Sequence, residues 1–306
     1  MSETRVIFVV NPASGNGATG RIWPEIAQRA AAAGLRGDAL FTESPGHATE
    51  LARQACTDGA RVVVVVGGDG TVNEAVNGVL ASGRDDIVFA VIPRGTGDDF
   101  ARHFGIPTDL EKSISIASSE VTRTFDVGKA VFRHWDGSEA ERFFANFAGA
   151  GISGAIALRG AETSRRLGAR LAYFWATIAV FVRWQPVEID VRADGKQRRA
   201  LMYEVLIANG AYTAGGMKVA PDAVSDDGLL DAVLIGAFTK PEFAITFPKI
   251  YRGTHIGHPK VEVLRAREIT VDAATPLPVV LDGEQVGTTP ARFEVVPAAL
   301  RLRVPS

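Results

Sequence analysis

The sequence has little of several features that would narrow its class. A single cysteine, Cys56, leaves no partner for a disulfide within the chain and excludes a disulfide-stabilised scaffold. Basic and acidic residues nearly balance, at 33 and 35, so the net charge of −2 argues against a dedicated nucleic-acid binder, and we expect no nucleic-acid partner. The N-terminal MSETRVIFVV lacks the basic and apolar regions of a signal peptide, so we expect a cytoplasmic protein.

Long apolar runs are also scarce. The strongest candidate lies at 165–184, but it is uninterrupted only from Leu171 to Val182, which is shorter than the about 20 residues of a transmembrane helix. This stretch predicts a helix packed on the β-rich domain described below. The alternative is an arginine-flanked apolar surface that meets a membrane or a lipid tail.

What the sequence does contain is a regular alternation of strand-like and helix-like segments over residues 1–128. Apolar runs typical of strands lie at 5–10, 38–42, 62–66 and 87–92, and helical patterns lie at 22–34 and 47–56. The alternation predicts an N-terminal Rossmann-like, three-layer α/β domain with ligands bound beyond the carboxyl ends of parallel strands. Residues 129–306 are mostly strand-like and predict a β-rich second domain, with the tail at 300–304 packing back near the first.

Two glycine-rich loops follow the third and fourth predicted strands. The first, GGDGT at 67–71, is typical of a phosphate-binding turn into a helix, yet it carries an acid, Asp69. The second, PRGTGDDF, adds Asp98 and Asp99. Carboxylates beside phosphate-binding amides suit a nucleoside triphosphate that is carried with Mg²⁺.

An earlier glycine loop imitates a different motif. Gly15, Gly17 and Gly20 fit the G-x-G-x-x-G pattern of a dinucleotide-binding fold, and Glu43 lies near the place of its ribose acid. Four residues separate the strand from Gly15, whereas the tight turn of that fingerprint follows its strand almost directly. The spacing therefore argues against a dehydrogenase.

Six motifs in order, NPASG, VVGGDGTVNEAVNG, PRGTGDDFAR, FDVGKA, GGMKVAPDAVSDDGLLD and LDGE, cover residues 11–284. Together they resemble the soluble diacylglycerol kinase family of lipid kinases, which includes sphingosine and ceramide kinases and the bacterial YegS-like lipid kinases. The resemblance implies a nucleotide domain over 1–128, a β-sandwich lipid-substrate domain over 129–306, and ATP-dependent, Mg²⁺-assisted in-line transfer of phosphate to a lipid hydroxyl. It also implies transient peripheral contact with a membrane surface, and it leaves a homodimer open.

The resemblance carries roles onto matching residues. The implied ATP contacts are Thr42, Gly67, Gly68, Asp69, Gly70, Thr71, Val72, Asn73 and Thr96. The implied catalytic acids are Asp69, Asp99 and Asp126, which organise catalytic Mg²⁺, and Asp282 and Glu284, of which the glutamate is the usual general base. The implied structural Mg²⁺ site uses the Asp227 side chain and the carbonyls of Val224 and Leu229.

Two departures from the family pattern bear on activity. Asn16 stands where a lysine is frequent, so a phosphate-neutralising charge is either missing or supplied by Arg94. Asp98 replaces an asparagine, an extra carboxylate that metal or Arg102 would have to compensate. These departures support one alternative, a nucleotide sensor without catalysis. The GGDGT core by itself admits another, a kinase of a soluble substrate similar to NAD kinases.

Overall fold

The computed structural model describes residues 5–157, 177–181 and 183–306. The chain divides into two compact units. The first unit is formed by Met1–Asp126 together with Ala298–Ser306, and the second by Val127–Pro297. The first unit is therefore discontinuous along the chain, because its last segment follows the whole of the second unit.

A parallel sheet forms the middle layer of the first unit. Its strands are β1 (Val6–Val10), β2 (Asp38–Phe41), β3 (Val62–Gly67) and β4 (Val88–Pro93), arranged in the order β4-β3-β1-β2. Every residue of the valine-rich β3 is buried. Because successive side chains point to opposite faces, such a strand needs a covering layer on each face.

Helices supply those layers. They are α1 (Ala18–Ala32), α2 (His47–Thr57), α3 (Asp69–Ala81), α4 (Asp99–His103) and α5 (Leu110–Ser118). On one face, Ile26 of α1 and Ile114 of α5 share an apolar core with Val64 of β3. The helix α2 contacts β1 and β3, and α3 contacts β3. The two helices also contact each other, and a Cβ atom at Gly78 would lie 2.2 Å from the Thr49 carbonyl oxygen. Glycine at 78 permits this close helix pair.

The second unit is built mainly from antiparallel strands. They are β5 (Thr122–Arg133), which begins in the first unit, β6 (Glu139–Phe144), β7 (Phe147–Gly151), β8 (Val187–Ala193), β9 (Lys196–Ala208), β10 (Leu230–Gly236), β11 (Val261–Ala266), β12 (Glu268–Ala273), β13 (Pro278–Leu281) and β14 (Glu284–Arg303), which ends in the first unit. Along β9, Val205 and Ile207 enter one apolar core while Tyr203 and Leu206 enter another. The prediction of an α/β unit followed by a β-rich unit is confirmed.

Helical segments of the second unit adjoin its second core. The helix α6 (Lys240–Thr246) starts at a capping box and leads into 3₁₀ turns at Phe247–Arg252 and Thr254–Gly257. Most of the apolar stretch at 165–184 lies outside the described residues. Residues 177–181 are helical, and Phe181 stacks on Phe243 of α6 with ring centroids 3.6 Å apart. Over the ranges that the structure describes, no helix combines the length and apolar character needed to cross a membrane.

Candidate functional site

The GGDGT loop is a direct turn from β3 into α3. Gly67 ends the strand, Gly68 is extended, and Asp69 is the first residue of the helix. The first amides of an α-helix have no acceptor inside the helix, and within the described part of the chain no side chain caps α3. The amides at the start of α3 therefore remain available to an outside acceptor, in the partial positive charge of the helix dipole.

The loop after β4 lies directly against the GGDGT loop. The Arg94 amide donates to the Gly67 carbonyl oxygen at 2.8 Å. A Cβ atom at Gly68 would lie 2.9 Å from the Gly95 Cα atom, and one at Gly95 would lie 2.6 Å from the Gly68 Cα atom. A side chain at either position would push the two loops apart, so this contact alone requires glycine at 68 and 95.

The NPASG loop joins the same group. The Asn11 side-chain amide donates to the Thr71 hydroxyl at 2.9 Å, and a Cβ atom at Gly15 would lie 3.3 Å from the Arg94 carbonyl oxygen. Thr42 follows β2, and its amide donates to the Val10 carbonyl oxygen at 2.9 Å. The residues predicted to contact ATP thus lie at or next to the carboxyl ends of neighbouring parallel strands.

Those residues differ in what they present. Thr96 is exposed and Thr42 is half-buried, so both side chains can meet a ligand. The side chains of Val72 and Asn73 are buried, with 2% and 3% of their surface exposed, and Thr71 is held by Asn11. Val72 and Asn73 can therefore serve the loop chiefly through their backbone and through packing.

In the NPASG loop, unlike in the GGDGT loop, carbonyl groups of the loop itself accept hydrogen bonds from the amides at the start of the helix. The amide of Gly17 donates to Ala13 O at 2.9 Å, that of Thr19 to Ser14 O at 3.3 Å, and that of Gly20 to Pro12 O at 3.1 Å. The start of α1 is therefore satisfied internally. This agrees with the spacing argument against a dinucleotide fingerprint at this loop.

Acids of the two glycine loops are held by backbone groups. The Asp69 carboxylate accepts from the Phe100 amide at 3.0 Å, which ties α3 to the start of α4. The Asp98 carboxylate accepts from the Gly95 amide at 2.8 Å. Burial raises the pKa of Asp98, and the negative charge of Asp69 adds to the rise. Buried Asp99 forms an ion pair with Arg102.

Asp126, the remaining predicted metal-organising acid, has a structural contact. It is buried, and its carboxylate accepts from the Ala298 amide at 2.7 Å. The side chain thus joins the end of the first unit's continuous segment to the start of its returning segment.

The LDGE motif forms the hairpin turn between β13 and β14 in the second unit. Asp282 and Gly283 have φ angles of 45° and 89°, as a two-residue turn of this kind requires. The Asp282 carboxylate accepts from three successive amides, those of Ala145, Asn146 and Phe147, at 2.7, 3.0 and 2.8 Å. The Asp282 carboxylate therefore has a structural role, which is to hold the backbone of residues 145–147 against the turn.

Glu284 is the more available acid of the motif. Its side chain is 61% exposed and pairs with Arg142 at 2.7 Å. An exposed ion pair of this kind is weak and exchanges readily with solvent or ligand. Of the two acids, the geometry favours Glu284 for a proton-accepting role, and sequence alone did not separate them.

The SDDGLL turn is held by an arginine. One oxygen of Asp227 accepts from the Leu229 amide at 3.0 Å, and the other pairs with Arg265. Arg265 also approaches Asp231 at 3.4 Å, and burial raises the pKa of Asp231 to about 6. Because both Asp227 oxygens are engaged, these residues do not fit a structural Mg²⁺ without rearrangement, and that site stays a prediction.

A catalytic metal has to be tested against the donors present. In the part of the chain that the structure describes, no three His, Cys, Asp or Glu side chains are placed to hold a metal ion together. Mg²⁺ at phosphoryl-transfer sites needs no such cluster, because it binds through one or two carboxylates, waters and substrate phosphates. The mutually repelling carboxylates of Asp69 and Asp98 fit an ion of that kind.

The α/β layers, paired glycine loops and acid cluster define a nucleotide-using phosphotransferase with an appended β-rich unit. The diacylglycerol kinase catalytic domain matches residues 5–130, and the YegS C-terminal NAD kinase beta sandwich-like domain matches residues 147–304. The chain belongs to this YegS-like family of lipid kinases.

Individual relatives extend over nearly the whole chain. The diacylglycerol kinase of Bacillus subtilis is 29% identical and that of Staphylococcus carnosus 28% identical, covering 96% and 94% of this chain and 93% and 91% of their own lengths. A proposed diacylglycerol kinase of Bacillus anthracis superposes with a TM-score of 0.81 at 25% identity, covering 100% of this chain and 98% of its own. A yeast NADH kinase, with a TM-score of 0.52, 11% identity and coverages of 100% and 85%, shares the fold alone.

Proposed function

We propose that this protein phosphorylates the hydroxyl group of diacylglycerol, or of a closely related lipid alcohol, using ATP and Mg²⁺. The relatives' names supply the substrate class. The observation that carries the nucleotide part is the meeting of two glycine loops at Gly68 and Gly95, beside the uncapped start of α3 and the acids Asp69 and Asp98.

The first unit would bind and orient the nucleotide. The amides at the start of α3, those of Asp69, Gly70 and Thr71, would face the phosphates. The Val72 amide donates to Gly68 O at 3.0 Å and would support the loop from within. Thr42 and Thr96 would add hydroxyl contacts. Asp69, Asp99 and Asp126 would organise the metal and its waters. Mg²⁺, when bound with the nucleotide, neutralises part of the triphosphate charge. Most of the rate then comes from alignment and from fixed dipoles, which require little covalent chemistry from the protein.

The second unit would supply the proton acceptor. Glu284 would take the proton from the lipid hydroxyl as that oxygen bonds to the terminal phosphorus of ATP, while the bond from this phosphorus to the bridging oxygen breaks and ADP leaves. Asp282, bound to three amides, holds the turn that presents Glu284. Arg142 pairs with Glu284 in the structure, and the entering substrate would displace it.

Because a lipid substrate resides in a membrane, the protein has to bind the membrane surface to reach it. We propose transient peripheral association, and a vesicle co-sedimentation assay with and without diacylglycerol measures it. Retention of the protein in the supernatant at every lipid composition would contradict it.

The activity is tested by ATP consumption in mixed micelles that contain diacylglycerol, ceramide or sphingosine, with NAD as the soluble comparison substrate. We expect turnover with diacylglycerol and a phosphorylated lipid product. Turnover with NAD alone would identify a soluble-substrate kinase, and tight ATP binding without any product would identify a sensor.

A further inference from the structure

Arg94 lies where the three loops of the first unit meet. Its amide donates to Gly67 O of the GGDGT loop at 2.8 Å, and its carbonyl oxygen packs against Gly15 of the NPASG loop. Its own loop continues into Gly95, which touches Gly68. The backbone of Arg94 is therefore held by contacts to both neighbouring loops. Its side chain extends from the point where the three loops meet.

The guanidinium group of Arg94 has weak interactions with the described part of the protein. Its Nε atom is buried and, among the described residues, has no hydrogen-bond partner. Its charge lowers the pKa of Asp98 only as a minor influence, after burial and other neighbours. By contrast, Arg102 is engaged by Asp99. A buried guanidinium N–H without an acceptor is costly unless a ligand supplies one.

The loops otherwise lack positive side chains. Residues 11–17, 67–71 and 94–99 contain three aspartates, and Arg94 is their single Lys or Arg. A triphosphate that approached these loops would meet Asp69, Asp98 and Asp99. Metal and backbone amides offset part of that repulsion, and a guanidinium is the side chain best suited to offset the rest, because its planar fork binds phosphate oxygens in pairs.

We propose that Arg94 is a direct ligand of the nucleotide's phosphates, and that it supplies the cationic contact of this site. The inference rests on the proposed function, since it assigns a residue to the ATP site. The competing explanation is that Arg94 only balances the charge of Asp98.

Substitution of Arg94 separates the two explanations. For Arg94→Gln we expect the KM for ATP to rise about tenfold or more, which corresponds to about 1.4 kcal/mol of lost binding. The KM for the lipid should stay unchanged. Arg94→Lys should recover part of the loss, and the affinity for adenosine, which lacks phosphates, should not change. Arg29→Gln, on the α1 surface beside Glu25, is the matched control and should behave as wild type.

The double variant Arg94→Gln with Asp98→Asn decides the matter. If Arg94 binds phosphate, the double variant keeps a raised KM for ATP. If removing the Asp98 charge restores the wild-type KM, Arg94 serves only as a counter-charge and the proposal is overturned. A wild-type protein that neither binds ATP nor turns over lipid would refute the proposed function itself. An active wild type with an unchanged KM in Arg94→Gln would refute this inference alone.

Discussion

The NPASG and GGDGT loops make an instructive pair, because both are glycine-rich turns from a parallel strand into a helix. At the start of α1, the amides of Gly17 and Thr19 are bound by carbonyls of the same loop. At the start of α3, neither a loop carbonyl nor a side chain of the described residues accepts from the Asp69, Gly70 or Thr71 amides. Glycine content is similar, yet within the described ranges the start of α3 leaves amide donors for a phosphate and the start of α1 does not. What marks a binding loop is therefore the set of backbone groups that the fold leaves unused.

The same contrast separates the two acids of LDGE. The Asp282 carboxylate accepts from three amides, whereas the contact of exposed Glu284 among the described side chains is an ion pair with Arg142. The Asp282 side chain therefore stabilises the fold, whereas the exposed side chain of Glu284 can be reached by a substrate. Substitutions can test each side of this contrast.

The largest effect is expected at Asp69, where fold and function use the same side chain. Asp69→Asn keeps an oxygen for the Phe100 amide but removes the charge that we propose organises the metal, so we expect kcat to fall by about 10³-fold or more with an unchanged melting temperature. Asp109→Asn is the control, because Asp109 caps α5 in a similar way. Near-normal lipid phosphorylation by folded Asp69→Asn would refute the metal role.

The two LDGE acids should respond differently. Glu284→Gln should lower kcat by about 10²-fold with little change in ATP affinity, because a general base acts in the transition state. Asp282→Asn should mainly lower the melting temperature, because three amides lose an ionised acceptor. Glu141→Gln, an exposed partner of Lys129, controls for loss of a surface ion pair. An unaltered rate in Glu284→Gln with a folded but inactive Asp282→Asn would move the base to Asp282.

Alanine at one glycine of each loop tests the comparison directly. Gly17 has a φ angle of 77°, so Gly17→Ala should cost about 1 kcal/mol of stability, or roughly 2–4 °C, and leave the KM for ATP unchanged. Gly70 is exposed, and a Cβ atom there would meet no described atom within 4 Å. Gly70→Ala should fold normally but raise the KM for ATP several-fold, because the methyl group narrows the approach to the α3 amides. Equal effects in both loops would erase the distinction between them.

The smallest effect is expected at the SDDGLL turn. Asp227→Ala should lower the melting temperature by about 2–4 °C, because the turn loses the Leu229 and Arg265 contacts. The structure predicts the same loss in EDTA and in Mg²⁺, and a smaller loss for Asp226→Ala. A Mg²⁺-dependent rise in melting temperature that Asp227→Ala abolishes would instead establish the structural metal.

Local pattern made much of this architecture predictable. The valine run and the glycine turn after it specify β3 and the start of α3 without help from distant residues. The start of α1 was less accessible: it begins at Ala18, before the predicted 22, because loop carbonyls extend its first turn backward. The structural role of the Asp282 carboxylate could not be predicted from the sequence either, because the three amides that donate to it lie more than 130 residues away.

The returning segment Ala298–Ser306 has a consequence for biosynthesis. Arg301 and Leu302 pair with the outer side of β4, the Val304 amide donates to Val121 O at 3.2 Å, and Ala298 donates to Asp126. During translation, the sheet of the first unit therefore cannot be completed until the whole second unit has been synthesised, because the segment that pairs with β4 comes last. Until then β4 presents an open edge that can pair with a neighbouring nascent chain. A premature stop codon after Pro297 would make that exposure permanent, so aggregation would be the expected fate of the shortened product.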